Sequence, residues 1–195
     1  MRGRARARVC GLALGVVLGA ALLGRPAWAE KPPSPVTGVG EIIYHEGEVE
    51  AFGDGPDVLN LSIGAFDAFK TDPAAGEFRF EYRWGRKLLV FGPLVGLMAN
   101  TKGGVFGYGG LYLDLQFDRL VVTPSAGLGG YRRGEGKRLG GTFEFHLGLD
   151  FAYRFDDGTR LGVRVTHISN AYAHDINPGE ESALVTYTIP VGNMF

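Results

Sequence analysis

His167, Ser169 and Glu181 are three residue types that can share the work of one ester- or amide-cleaving reaction. A hydroxyl becomes a nucleophile when an imidazole takes its proton, and a carboxylate orients that imidazole and stabilises its charged form. Their spacing matters as much as their types. Leu161, Val163 and Val165 alternate with other residues, and the same odd parity continues into His167 and Ser169. Side chains two apart share a strand face, so the imidazole and the hydroxyl are neighbours. After the irregular Asn177-Pro178-Gly179-Glu180-Glu181, a second odd-numbered apolar face runs through Ala183, Val185, Tyr187, Ile189 and Val191. Glu181 lies in register with it, and an antiparallel return sets its carboxylate beside His167. Glu180 competes for the acid's place, and parity favours Glu181.

The elements that must hold these groups are strands. Candidates fall at about 58–67, 77–84, 88–99, 104–117, 120–131, 141–155, 160–170 and 181–191. The sixth is the clearest: Phe143, Phe145, Leu147, Leu149, Phe151, Tyr153 and Phe155 alternate with Glu144, His146, Gly148, Asp150, Ala152 and Arg154. The second repeats it, with Phe78, Phe80, Tyr82 and Trp84 against Glu77, Arg79, Glu81 and Arg83. Dyad alternation repeated over strands of about ten residues is the signature of a transmembrane barrel with an apolar outside and a polar lumen. The expected fold is all-β, an eight-stranded antiparallel transmembrane barrel. A soluble ligand-binding barrel alternates too, but with its apolar face inward. Here Glu77, Arg79, Glu81, Arg83, Asp114, Glu144, His146, Asp150, Arg154 and Arg164 can neutralise one another in a narrow lumen, while the opposite faces are nearly charge-free and rich in rings. Phe195, closing the last strand, resembles the C-terminal aromatic of bacterial outer-membrane barrels.

Ahead of the strands, Arg2, Arg4, Arg6 and Arg8 precede an apolar run from Val9 to Leu23, and Ala27-Trp28-Ala29 fits a small-x-small cleavage site. Residues 1–29 therefore read as a cleaved signal peptide, 30–57 as an irregular N-terminal segment and 58–195 as the barrel. Within the middle segment, Gly38 to Pro56 is compatible with a short strand, a hairpin or a periplasmic extension. Cleavage moves the formal charge from −1 to −6, which offers nothing to nucleic acid. Cys10, the sole cysteine, lies inside the signal, so the mature chain has neither a disulfide nor a thiolate site. No metal site is expected: His45 beside Glu46 and Glu48 reads as a solvated surface.

Short turns at Gly85-Arg86-Lys87, Asp118-Arg119 and Asp156-Asp157-Gly158 contrast with longer loops at 68–76, 132–140 and 171–180. Short turns face the periplasm in outer-membrane barrels, which places His167 and Ser169 near the outer leaflet. Their parity is that of the outward, lipid-facing side chains.

His167-x-Ser169-Asn170, followed by Asn177-x-Gly179 and Glu181 at the start of the last strand, resembles the lipid A 3-O-deacylase (PagL-type) family of outer-membrane barrels. The similarity runs from about Leu59 to Phe195 and includes Tyr153-Arg154-Phe155-Asp156-Asp157-Gly158. The resemblance implies hydrolysis of the 3-linked ester of lipid A without metal or other cofactor. It assigns Ser169 as nucleophile, His167 as general base and Glu181 as orienting carboxylate, with Asn170 and Asn177 as weaker candidates for oxyanion donors. Lipopolysaccharide would be the substrate, approached in the plane of the membrane; a homodimer is left open. The cationic Arg132, Arg133, Lys137 and Arg138 suit lipid A phosphates. The competing reading is a non-catalytic structural or adhesive barrel whose rim happens to carry these polar groups. A pore is disfavoured because side chains fill an eight-stranded interior. His146 is expected in a lumen network and His174 in a solvated loop. The glycines at 104, 107, 109 and 110 are expected to relieve crowding or permit curvature.

Overall fold

The computed structural model describes residues 42–46, 49–69 and 75–192. Residues 1–29, assigned to the signal peptide, and Phe195 lie outside them. A hairpin of β1 (Ile42–Glu46) and β2 (Val49–Phe52) precedes β3 (Asp57–Phe66), β4 (Ala75–Arg83), β5 (Gly92–Asn100), β6 (Val105–Tyr112), β7 (Leu115–Phe117), β8 (Leu120–Arg132), β9 (Phe143–Arg154), β10 (Arg160–Ser169) and β11 (Glu180–Gly192). From β3 onward each strand pairs antiparallel with its neighbours, β11 returns to β3, and β8 joins β9, so the sheet closes on itself. Both β6 and β7 lie along β8 as one interrupted strand, which makes eight staves around the barrel.

Alternation explains the closure. On β9 the even residues from Glu144 to Arg154 are buried, while Phe143, Phe145, Leu147, Phe151 and Tyr153 face out. The same split places Arg79, Glu81, Arg83, Asp150 and Arg164 inside. Ile63, Phe78, Phe80, Val95, Leu97, Val163, Val165, Val185 and Tyr187 form an apolar belt outside. Such a surface is stable against lipid and not against water. Inside, Glu81 accepts from Arg164 Nη2 at 2.7 and 2.8 Å, from Arg83 Nη2 at 2.7 Å and from Tyr108 OH at 2.8 Å. Asp150 completes the cluster with Arg164 Nε at 3.0 Å and Arg83 Nη2 at 2.5 Å. Burying these charges is tolerable because nearly every one meets an opposite charge. Large rings fit beside them where a facing strand gives up its side chain: a Cβ on Gly96 would lie 2.3 Å from the Tyr108 ring.

Three features sharpen the sequence expectations. The N-terminal segment, for which a hairpin is one of three options, carries the β1–β2 hairpin, which is added to the edge of β7 through Glu50 to Gln116 and Ala51 to Leu115. Ala51 and Phe52 are buried, and Asp57 ties the segment to the adjacent turn by accepting from Gly85 N at 2.7 Å. The third stave begins at Gly92, not at residue 88, because Leu88 and Phe91 pair in a tight turn with Leu89 at φ 58°. The glycines also divide. A Cβ on Gly110 would meet Ala126 O at 2.1 Å, whereas Gly107 has open space around it.

Candidate active site

β10 and β11 run antiparallel, and their register sets His167 opposite Glu181. Both side chains are about one third exposed, and Glu181 Oε1 lies 3.2 Å from His167 Nδ1. That leaves Nε2 of the imidazole to act on a hydroxyl, the division of labour required of a general base. Ser169 is half-buried on the same face, opposite Phe145 of β9, and among the described residues no hydrogen bond engages its hydroxyl. Two residues of strand rise separate its Cα from that of His167 by roughly 6–7 Å, within reach of the imidazole by choice of rotamer. Glu180 takes the other parity. It is fully buried and accepts from Asp67 N at 2.9 Å, so it does not address His167.

Gly179 carries this geometry from the loop side. Its φ is +62°, and a Cβ there would stand 3.0 Å from His167 Cε1. Gly179→Ala should therefore strain the backbone at its positive φ and push the imidazole by a few tenths of an ångström, and small misplacements of a reacting group are costly in rate. We expect at least about a tenfold loss of ester hydrolysis in a barrel that still folds. Equal activity of the variant would show that the ring does not depend on this contact.

The two asparagines are not equivalent. Asn170 is fully buried, and its Nδ2 donates to Leu139 O at 2.8 Å and Ile176 O at 2.9 Å. The amide of Asn170, expected as an oxyanion donor, is thus engaged in joining two loops. Asn170 also organises the turn beyond Ser169. Its backbone carbonyl accepts from Ala173 N at 2.8 Å and its Oδ1 from Tyr172 N at 3.0 Å. Ala171 and Tyr172 there adopt φ of 51° and 65°, a conformation costing non-glycine residues about 1–2 kcal/mol each. Asn177 is half-buried, and its Oδ1 accepts from Asn170 N at 3.0 Å. Among the described residues no hydrogen bond uses its Nδ2.

The cationic loop also divides. Lys137 Nζ binds Asp67 Oδ1 at 2.6 Å and so staples the β8–β9 loop to the β3–β4 loop. Lys137, expected among the phosphate ligands, is thus engaged by an acid of the chain itself. Arg132, Arg133 and Arg138 are exposed, and Arg138 adjoins Leu139, the residue that Asn170 holds. His146 is fully buried, with Nδ1 3.4 Å from Arg79 Nη1 and its ring 4.4 Å from that of Tyr108, deep in the lumen. His174 is not a solvated loop residue. Its ring packs on Gly141, where a Cβ would fall 1.9 Å from Nε2.

Nothing in strand alternation points to the Leu139 carbonyl or to Asp67, because both act through loops.

A closed eight-stranded barrel with an apolar belt and a charged lumen, carrying a His–Glu pair on its outward parity, defines a membrane-spanning β-barrel. Comparison with known proteins makes the class specific. Residues 70–190 match the family model of lipid A 3-O-deacylase (PagL), and the chain belongs to that family. It is 41% identical over 54 residues to lipid A deacylase PagL of Bordetella bronchiseptica, an alignment covering 27% of this chain and 29% of that protein. The alignment thus spans less than a third of that relative. Its fold is similar to the crystal structure of the outer membrane enzyme PagL, with a TM-score of 0.52, 19% identity and coverage of 69% of this chain and 99% of the other. A de novo designed transmembrane β-barrel gives a TM-score of 0.50 at 14% identity, covering 71% of this chain and 99% of the design.

Proposed function

We propose that this barrel hydrolyses the 3-O-linked acyl ester of lipid A in the outer leaflet of the outer membrane, using Ser169, His167 and Glu181. The observation that carries the reading is the 3.2 Å contact between His167 and Glu181 on the lipid-facing side of β10 and β11, with Ser169 on the same face. His167 takes the hydroxyl proton as Ser169 attacks the ester carbonyl. Asn177 stabilises the oxyanion, and the imidazolium returns the proton to the departing sugar oxygen. Water, activated by the same imidazole, then releases the fatty acid from the acyl-enzyme. Glu181 holds the tautomer that leaves Nε2 available and stabilises the charged imidazole. Family membership supports the substrate class, and outward parity supports a substrate that never leaves the membrane.

The test is mass spectrometry of lipid A from cells that make the protein, beside cells carrying an empty vector. Loss of one 3-hydroxyacyl chain only in the former supports the assignment. Identical profiles with a folded barrel in the membrane would return the molecule to a structural role.

Arg132, Arg133 and Arg138 would hold the lipid A phosphates, a reading that their exposure supports. Replacing all three by Gln should raise the apparent KM for phosphorylated lipid A by about tenfold or more, since charge-assisted hydrogen bonds contribute about 1.5–3 kcal/mol each. Hydrolysis of an uncharged nitrophenyl ester should be unaffected. A parallel fall on both substrates would mean that the loop shapes the site and does not read charge.

A further inference from the structure

Behind Glu181, on the lumen side of β11, Ser182 Oγ stands 2.5 Å from Glu77 Oε2 and 2.6 Å from Glu180 Oε1. All three residues are fully buried or nearly so. A serine hydroxyl has one hydrogen, so it can donate to only one of the two carboxylates. The second short contact requires a hydrogen from the carboxyl side. Two ionised carboxylates facing one hydroxyl in a buried site would also repel strongly, and such pairs retain one proton between them.

Arg79 decides where that proton resides. Its guanidinium binds Glu77 Oε1 at 2.8–2.9 Å, so Glu77 is the carboxyl with a cationic partner. Glu180 has no such partner. Its Oε2 is buried without a hydrogen bond, which suits a neutral carbonyl oxygen and not a charged one. The other groups facing Glu180 are Asp67 from the β3–β4 loop, itself bound to Lys137, Tyr131 of β8, and the apolar Ile168 of β10. Glu77 and, without a hydrogen bond, Arg79 also act on Glu180 electrostatically.

We propose that Glu180 is a positioning residue that holds a proton, shared with Glu77 through Ser182, and that this proton keeps Glu181 in place. The link is short. Glu180 Oε1 anchors Asp67 N, and the next residue, Ala68, donates its N–H to the backbone carbonyl of Glu181 at 2.8 Å. Loss of the proton sets two negative charges on either side of Ser182. The bridge opens, the turn at Asp67 and Ala68 loosens, and Glu181 loses its aim at His167. Hydrolysis should therefore be sustained while the pair is protonated and fall as rising pH removes that proton.

The inference rests on the proposed hydrolysis, so its test has an arm independent of activity. In the first arm, pH profiles on a micellar nitrophenyl ester compare the full-length wild type with Glu180→Gln and Glu180→Ala. Gln cannot lose a proton, and with its amide oxygen turned to Asp67 N it keeps that anchor at every pH. It should stay within about twofold of wild type at neutral pH and lack the alkaline loss, whereas Ala should fall by about tenfold or more. A Glu180→Gln profile that retains the wild-type alkaline loss would overturn the proposal, as would losses of equal size in both variants. In the second arm, infrared spectroscopy of the folded barrel should show a protonated-carboxyl band that titrates with pH and is missing in Glu180→Gln. An unchanged band, or none in wild type, would overturn the proposal even if the esterase assignment stands. A titrating band in a barrel without esterase activity would keep the proton and refute the reaction.

Discussion

Ser169→Ala is expected to leave a folded barrel that no longer deacylates lipid A, with turnover reduced by about 10⁴-fold or more. The loss is large because base and acid have nothing to activate once the nucleophile is gone, and removing a catalytic serine costs about as much as removing its whole triad. What survives is the background that oxyanion donors and binding supply, about 10³–10⁴ over water. The substitution removes a single half-buried oxygen at the rim of β10, away from the lumen network, so the barrel should migrate normally with and without heating. Lipid A from cells making the variant at matched outer-membrane levels should match the empty-vector profile by mass spectrometry. Glu181→Gln, which spares nucleophile and base, should cost less, about 10²–10⁴-fold. Deacylation that persists in Ser169→Ala would keep the enzyme and discard the nucleophile.

The largest effect on stability is expected from Glu81→Ala. This one carboxylate accepts from Arg164, Arg83 and Tyr108, and Arg83 and Arg164 are both essentially inaccessible to solvent. Deleting it leaves Asp150 as the sole acid, among the described residues, within ion-pairing distance of two guanidinium groups. Breaking a buried charge network by removing one partner costs about 3–5 kcal/mol, a large part of a typical folding free energy. The variant should lose its heat-dependent gel shift, or unfold in micelles at much lower urea than wild type. Glu81→Gln keeps the shape and one acceptor, and should fall between them. An unchanged midpoint for Glu81→Ala would mean that water enters the lumen and replaces the carboxylate.

What alternation can encode was legible in the residues. Period-two patterning separated Phe145 from His146 and Glu180 from Glu181, because a strand leaves a side chain only two choices of face. Loop chemistry follows no such period. That Asn170 would clamp Leu139 and Ile176, or that Lys137 would seek Asp67, depends on contacts between segments that meet only after the barrel closes. The N-terminal hairpin was obscure for a related reason: two residue pairs join β2 to β7, too few to impose a readable pattern. The break before β5 turns on Leu89 adopting a positive φ, which leucine gives no reason to expect. Parity sent Glu77, Glu180 and Ser182 inward without revealing that they share a single hydroxyl.

The outward face of His167 and Ser169 has a kinetic consequence. A substrate that meets its enzyme by lateral diffusion within a leaflet is counted per unit area, not per litre. Saturation is then governed by the fraction of surrounding lipid that is cleavable. Adding inert detergent or phospholipid at constant total substrate should slow the reaction by surface dilution, and enlarging the aqueous volume should leave it unchanged.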